Sequence, residues 1–303
     1  EGQNEKRGRL DFALWKKAKP EHIMRWPSPW GEGFPGWHIE CSAMSTKYLG
    51  DEFDIHGGGM DLIPTHHTNE IAQHAACHHK SPAKFWMHTN MLTVNGQKMS
   101  KSLGNSFLPQ ELFEGNHPLL ERGYSPMTVR FFMLQAHYRS TLDFSNTAIQ
   151  AAEKGLHRLM NAVKLIDNLK TSATMPYDVA ALRTRVYEAM NDDFNTPQAI
   201  AELFDGVRFI NAAHDGKETV TEEGKAQLRT LFNEMVFSVL GLREENTGNT
   251  DKVDGLMNLI LELRKDVRAR KDFATSDKIR DELQKIGIQV KDGKEGTSWT
   301  FGI

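Results

Sequence analysis

Long apolar runs, a dense cysteine pattern and a strong net charge are all missing from this chain of 303 residues. No stretch approaches the roughly 18 consecutive apolar residues of a membrane-spanning helix, and no signal-peptide pattern is present, so we expect no membrane partner. The two cysteines, Cys41 and Cys77, are too few for a disulfide framework and suit a reducing cytoplasm.

The charge is close to balanced overall but uneven along the chain. A formal net charge of -3 argues against indiscriminate binding of polyanions. Residues 252–294 nevertheless have a local excess of Lys and Arg over Asp and Glu, which predicts a basic surface near the C-terminus. Histidine is unusually frequent for a chain of this length, with 13 in all and five between His66 and His79.

The hydrophobic pattern predicts an α/β region followed by an all-α region. Residues 1–126 mix short apolar runs with glycines, and Phe53–His56 reads as a strand that ends in a turn at Gly57–Gly59. From Pro126 onward the apolar residues recur at helical spacing, with breaks at 171–178 and 214–224. We therefore expect a bundle of four or five helices over residues 127–243.

A small basic module is predicted at the C-terminus. Residues 244–251 are polar and turn-rich, as in a linker. The residues after them include two helical stripes, the first formed by Leu256, Leu259, Ile260, Leu263 and Val267 and the second by Ile279, Leu283 and Ile286. Gly287 suits a helix C-cap, and Ile288–Lys291 with Thr297–Thr300 reads as a terminal hairpin.

Two lysines lie on a short loop, Lys98-Met99-Ser100-Lys101-Ser102, which continues as Leu103-Gly104-Asn105. Two cations on a loop bounded by glycine suit a triphosphate, whose charge they can stabilise during reaction. The alternative is a solvated Lys/Ser loop without function.

Cys41, His66 and Glu70 are residue types that bind zinc. His66 and Glu70 are four residues apart in a segment that reads as helical, so they share a helix face. His67 with Glu70 at a spacing of three is nearly as good, and a solvated polar face is the remaining alternative. Cys77 is either a further ligand or, more simply, an ordinary helix cysteine.

Three blocks before the lysine loop resemble the active-site blocks of the cysteinyl-tRNA synthetase family in order and spacing. They are Gly36-Trp37-His38-Ile39-Glu40-Cys41-Ser42-Ala43-Met44, Asp54-Ile55-His56-Gly57-Gly58-Gly59-Met60-Asp61-Leu62, and His66-His67-Thr68-Asn69-Glu70-Ile71-Ala72-Gln73. The lysine pentapeptide matches the KMSKS signature of class I aminoacyl-tRNA synthetases. Further similarity follows in Thr128–Phe132, His137–Ser140 and Asn191–Pro197.

The resemblance implies a role for particular residues. Lys98 and Lys101 are the expected catalytic residues, and Trp37 is expected to lie beside the amino acid substrate. The expected zinc ligands are Cys41, His66 and Glu70. The expected ATP-binding residues are Lys101, His56, Gly57, Gly58, Gly59 and Asp61. The expected anticodon contacts are Arg268, Phe273 and Asp277, where Phe273 stands in place of the tryptophan of many family members and would stack on a base.

The resemblance also implies fold, reaction and partners. The expected domains are the second half of a Rossmann-type catalytic domain at 1–126, a helical tRNA-binding bundle at 127–243 and an anticodon-binding module at 252–303. The implied enzyme is an aminoacyl-tRNA ligase that uses ATP with Mg as substrate, joins cysteine to tRNA(Cys) and holds one zinc ion per chain. We expect a monomer.

Two departures from the family pattern bear on activity. The family's HIGH motif and its N-terminal cysteine ligand have no counterpart here and the first residue is Glu1, so we expect a piece of a longer protein, whose activity on its own is left open by the sequence. Pro64-Thr65 and Thr68 replace the residues that are usual around the two histidines, which alters the surroundings of the zinc ligands.

Two rival functions follow from the same residues. A related ligase that joins cysteine to an amino sugar shares the zinc site and the lysine loop but has no anticodon module, which residues 252–303 supply here. Alternatively, the chain alone is a tRNA-binding module without activation chemistry.

Overall fold

The computed structural model describes residues 6–245, 250–293 and 296–301. The chain divides into two compact units, one formed by Glu1–Leu108 with Ala136–Ser145 and the other by Pro109–Gln135 with Asn146–Ile303. The first unit therefore includes a segment that is distant in sequence. The three domains predicted at 1–126, 127–243 and 252–303 remain a prediction.

The first unit is α/β. Its elements are β1 (Trp15–Lys17), β2 (Gly33–Pro35), α1 (Trp37–Leu49), β3 (Phe53–Gly59), α2 (Thr68–His78), β4 (Ala83–Thr89), β5 (Leu92–Val94), β6 (Gln97–Lys98) and β7 (Leu142–Phe144). Strands β3 and β4 pair in parallel and α2 connects them, which is the usual way to join parallel neighbours. Strand β1 pairs antiparallel with β2, and β5 lies between β6 and β7.

The glycines of β3 continue the strand, so the turn predicted at Gly57–Gly59 is wrong. Gly57, Gly58 and Gly59 pair with Met87, His88 and Thr89 of β4. A Cβ at Gly58 would collide with the ring of His67 and one at Gly59 with the carboxylate of Asp61, so these two glycines allow close packing on the strand.

Asp143 of β7 holds the tight turn between β5 and β6. Its Oδ1 accepts hydrogen bonds from the Gly96 N–H at 2.8 Å and the Thr93 hydroxyl at 2.6 Å. Asn95 and Gly96 both have positive φ, as a two-residue hairpin turn requires. The turn leads directly into the lysine loop.

The second unit is mainly helical. Its elements are α3 (Pro109–Glu114), α4 (Pro126–Leu134), α5 (Asn146–Asp167), α6 (Val179–Asn191), α7 (Thr196–His214), α8 (Glu222–Phe232), α9 (Thr250–Ala269), α10 (Phe273–Lys285), β8 (Ile288–Gly293) and β9 (Gly296–Phe301). Helices α5 to α8 lie inside the range predicted for the bundle. Asp178, Asn195 and Thr221 cap α6, α7 and α8, each accepting a hydrogen bond from a backbone N–H of the first turn.

The core of the bundle follows the helical stripe of α5. Leu156, Leu159, Met160 and Ile166 are buried, and Leu169 is buried just beyond the helix. They recur at spacings of three and four because these positions share one face of a helix.

The C-terminal module has a helical hairpin and a β-hairpin. Met257, Leu283 and Ile288 form its buried cluster, with Trp299 and other partly buried residues packed against them. Strands β8 and β9 pair antiparallel, which confirms the predicted hairpin. Leu256, Leu259 and Leu263 form a helical stripe as expected, but all three are more than half exposed. Residues 246–249 of the predicted linker lie outside the described residues.

None of the helices in the described part of the chain combines the length and apolar character that crossing a membrane requires.

Candidate active site

Three elements of the first unit converge on one group of side chains. Helix α1 carries Cys41 in its second turn, and a single π-helical turn, Ile63–His67, carries His66 and leads into α2 with Glu70. Single π-helical turns are frequent at functional sites. Thr68, which replaces the residue that is usual in the family, stabilises this turn, because its hydroxyl donates to the Ile63 carbonyl at 2.6 Å.

Cys41, His66 and Glu70 are brought together as the sequence predicted. Their donor atoms lie within 4.8 Å of one another. His66 and Glu70 are buried and Cys41 is half-buried, so the set is open toward Cys41. Thiolate, imidazole and carboxylate in such proximity match the donor types that zinc prefers.

The carboxylate of Glu70 lacks a partner that its burial requires. Its Oε1 accepts no hydrogen bond from the described residues, although His66 Nε2 lies 3.1 Å away and His56 Nε2 3.5 Å away. Burial raises the pKa of Glu70 to about 7. A buried carboxylate of this kind is stabilised by a bound cation, so the residues fit a zinc ion.

The pKa of the Cys41 thiol is raised, as that of Glu70 is. Burial, followed by the charges of Glu70 and Glu40, raises the pKa of Cys41. A cation next to the sulfur offsets the cost of ionising the thiol, because metals bind the thiolate form.

A second donor set shares Glu70. It consists of His56, His67 and Glu70, again with donor atoms within 4.8 Å. Burial, followed by the neighbouring His56, lowers the pKa of His67 to about 4, so its ring is neutral at pH 7. The Nδ1 of His67 lies 2.8 Å from Nε2 of His88. The alternative pairing of His67 with Glu70 is therefore geometrically possible as well.

The sequence reasoning missed the strand that backs the histidines. Trp86 and His88 of β4 contact His67, with ring centroids 5.1 and 5.0 Å from its own. They are two residues apart, so they share one face of the strand. The signal that could have identified Trp86 and His88 is their spacing of two in a strand that pairs with β3.

Gly58 leaves the space that the ring of His67 occupies. A Cβ at this position would lie 2.6 Å from Cε1 of His67. At the neighbouring Gly57 a Cβ would meet only the Met87 carbonyl oxygen, at 3.7 Å. The packing gives Gly58 a steric role toward a histidine, and the ATP-binding role expected from the resemblance stays a prediction.

Trp37 lies next to the donor set. Its ring centroid is 4.5 Å from that of His66, and the residue is 62% exposed. An aromatic ring that packs on a ligand histidine and remains accessible can form the wall of a small pocket.

Asp61, in the 3-10 turn after β3, is exposed.

The two lysines are exposed on the loop that follows β5. Lys98 is the last residue of β6, and Lys101 begins a 3-10 turn, Lys101–Leu103, that ends at Gly104. Gly104 has φ of 62°, a conformation that favours glycine. Neither ammonium group has an ion-pair partner among the described residues, so both are available to a phosphate.

The predicted anticodon residues lie where α9 gives way to α10. Arg268 is in the last turn of α9, Phe273 begins α10 and is 59% exposed, and Asp277 follows one turn later. Asp277 pairs with Arg280 at 3.2 Å. An exposed aromatic ring at a helix start suits base stacking.

Cys77 is exposed on α2 and belongs to neither donor set.

Family models match along most of the chain. Residues 1–154 match the model described as tRNA synthetases class I (C) catalytic domain, residues 185–244 the DALR domain, and residues 250–299 the cysteinyl-tRNA ligase anticodon binding domain. Together they follow the order that the sequence predicts.

Curated proteins that are similar to this chain include several cysteine–tRNA ligases. The protein from Porphyromonas gingivalis is 57% identical over 302 residues, and that from Phocaeicola vulgatus is 55% identical over 304 residues. Each alignment covers 99% of this chain and 62% of the relative, so the chain spans about three fifths of their length. A solved leucyl-tRNA synthetase complex from Agrobacterium radiobacter K84 is similar with a TM-score of 0.47 and 16% identity, over 73% of this chain and 34% of that one.

Proposed function

The chain belongs to the class I cysteinyl-tRNA synthetases, and we propose that it takes part in the ATP-dependent joining of cysteine to tRNA(Cys). The observation that carries the proposal is the Cys41, His66 and Glu70 donor set beside Trp37, within a region that matches a class I catalytic domain. Activation of cysteine needs a group that binds the thiol and cations that stabilise the triphosphate, and this unit carries candidate residues for both.

The proposed reaction has two steps. A carboxylate oxygen of cysteine attacks the α-phosphorus of ATP, the α–β phosphoanhydride bond breaks, and pyrophosphate leaves from cysteinyl-adenylate. A hydroxyl of the 3′-terminal ribose of tRNA(Cys) then attacks the acyl carbon, AMP leaves, and the hydroxyl proton is released. Positioning and charge stabilisation contribute most to such a reaction.

Lys98 and Lys101 act on the first step in this proposal. Negative charge builds up on the phosphate oxygens during attack, and two exposed ammonium groups without ion-pair partners in the described residues can stabilise it. His56, Gly57, Gly58, Gly59 and Asp61 lie on β3 and the turn after it, where the family binds ATP. ATP enters with Mg as substrate.

Cys41, His66 and Glu70 would hold one zinc ion. The ion would supply a soft Lewis acid that prefers the thiolate of cysteine to the hydroxyl of serine. Size alone discriminates by about 10–200-fold, so a donor set of this kind can replace an editing site. Trp37, whose ring packs on His66, would form one wall of the pocket around the cysteine side chain.

The second unit carries the proposed contacts with tRNA. The DALR model matches residues 185–244, which include the second half of the bundle predicted at 127–243, and the anticodon-binding model matches residues 250–299, which include most of the module predicted at 252–303. Arg268, Phe273 and Asp277 would contact anticodon bases, Phe273 by stacking. The module favours a synthetase over the amino-sugar ligase. The proposal includes a monomer in the cytoplasm.

Exchange of labelled pyrophosphate into ATP tests the proposal. It should be measured with cysteine and with serine, on this chain and on a form extended at its N-terminus. We expect exchange with cysteine and at most a trace with serine, in the extended form at least. Absence of exchange from both forms, together with retained binding of tRNA(Cys), would support the rival tRNA-binding module. Equal exchange with serine would contradict the role of the donor set.

A further inference from the structure

The side chain of Asn105 closes the base of the lysine loop, residues 98–102. It is 6% exposed, although asparagine is a polar residue. Its Oδ1 accepts a hydrogen bond from the Ser100 N–H at 2.8 Å, and its Nδ2 donates to the Lys98 carbonyl at 3.1 Å. One amide group thus binds the backbone at two points that flank Met99.

These two points adjoin both lysines. The accepting carbonyl belongs to Lys98, and the donating N–H is one peptide bond before Lys101. The Ser100 hydroxyl accepts from the Leu103 N–H at 3.3 Å, and the Gly104 N–H donates to the Lys101 carbonyl at 3.1 Å. The backbone positions of Lys98 and Lys101 are therefore fixed relative to each other, while their ammonium groups stay exposed.

A primary amide is the side chain that can do this. It offers a donor and an acceptor on one planar group, whereas a carboxylate offers acceptors alone. Buried backbone groups that lose their partner are costly, so removal of the amide favours other loop conformations. In those conformations the spacing of the two lysines changes.

We propose that Asn105 is a positioning residue, which sets the separation of Lys98 and Lys101 for the phosphates of ATP. The proposal rests on the proposed function, because it assigns Asn105 a role through those lysines and no contact with substrate. A misplacement of about 1 Å can cost roughly 100-fold in rate when geometry governs the chemistry.

The test uses Asn105→Ala, Asn105→Asp and the matched control Asn90→Ala. Asn90 also makes two side-chain hydrogen bonds to backbone in the same unit, from the Met91 N–H at 2.7 Å and to the Arg139 carbonyl at 3.0 Å, and neither of these partners belongs to the lysine loop. A general loss of stability should affect Asn90→Ala in the same way as Asn105→Ala.

Hydrogen exchange on this chain gives the first readout. Asn105→Ala should speed exchange of the Ser100 amide at least about tenfold, because that N–H loses its acceptor. Asn105→Asp keeps an acceptor and should raise the exchange rate of the Ser100 amide less, and Asn90→Ala should leave that rate unchanged. Unaltered exchange at Ser100 in Asn105→Ala would overturn the proposal.

A double-mutant cycle with Lys101→Ala gives the second readout, in whichever form of the protein exchanges pyrophosphate. Asn105→Ala should lower kcat about 10- to 100-fold with little change in the KM for cysteine. In the Lys101→Ala background the same substitution should cost less than about twofold, because it acts through the lysine. Equal losses in both backgrounds, or the same loss in Asn90→Ala, would overturn the positioning role alone. Absence of exchange from the unsubstituted protein would overturn the proposed function and this role with it.

Discussion

The Oε1 atom of Glu70 lies 3.1 Å from Nε2 of His66, one helical turn earlier in the chain, yet no hydrogen bond joins them. Both residues are buried. A buried carboxylate oxygen normally has a hydrogen-bond partner, and the missing partner here points to a cation that both side chains contact. The sulfur of Cys41 is near enough to be a third ligand.

Replacement of Cys41 by serine should lower the zinc content. The hydroxyl is a poorer ligand than the thiolate, so the zinc bound per chain should fall well below that of the unsubstituted protein. Metal analysis after dialysis against a weak chelator measures this. Cys77→Ser is the matched control, because Cys77 is exposed and outside both donor sets, and it should bind zinc normally. Unaltered zinc content in Cys41→Ser would remove Cys41 from the site.

Replacement of Gly58 by alanine should destabilise the first unit. The new Cβ would lie 2.6 Å from Cε1 of His67, and that ring is buried and held by His88. Overpacking of this kind costs about 1–3 kcal/mol. Urea unfolding of Gly58→Ala and Gly57→Ala measures the difference, since the Cβ of the second variant meets only one atom, at ordinary van der Waals distance. Equal stability of the two variants would contradict the steric role.

Much of this site could be predicted because its residue types are rare and its spacing is local. His66 and Glu70 share a helix face at a spacing of four, and that geometry is independent of the rest of the fold. The helical stripe of α5 was equally clear, since its buried residues lie in one long periodic segment.

The remainder depends on contacts between segments that are distant in sequence. The glycines of β3 form a strand because β4 pairs with them, and no local pattern states that pairing. Trp86 and His88 reach the site only through the register of the same two strands. The stripe of Leu256, Leu259 and Leu263 correctly predicts a helix, but all three side chains are more than half exposed. Periodicity in the sequence therefore predicts the helix without predicting whether its apolar face is buried.

Replacement of Lys101 by alanine should slow ATP–pyrophosphate exchange about 100-fold or more, with a smaller change in the KM for ATP. The reason is that a charge that acts mainly on the transition state affects kcat more than substrate binding. Steady-state exchange kinetics measure both parameters. Lys47→Ala is a suitable control, because Lys47 is exposed in the last turn of α1 and outside the lysine loop. An unchanged rate in Lys101→Ala would remove this lysine from the reaction.

Replacement of Tyr177 by phenylalanine should destabilise the helical unit at neutral pH and less so in acid. The Tyr177 hydroxyl donates to Asp205 Oδ2 at 2.8 Å, and this hydrogen bond is the main reason that the pKa of Asp205 is lowered. Because the folded pKa is below the unfolded value of about 3.9, the contribution is present above that value and is lost as pH falls through the folded pKa. Phenylalanine keeps the stacking on Phe209, whose ring centroid is 4.3 Å away, and removes the hydroxyl, which also interacts with Arg185.

The expected loss from Tyr177→Phe is about 1 kcal/mol at pH 7, since Asp205 is partly exposed and keeps its contacts with Arg185 and Arg208. Urea unfolding followed by circular dichroism at pH 7 and near pH 3 gives the two differences. Tyr48→Phe serves as the control, because Tyr48 is exposed and its substitution should change neither value. A loss in Tyr177→Phe that is as large at pH 3 as at pH 7 would mean that packing, not the bond to the carboxylate, is what the hydroxyl supplies.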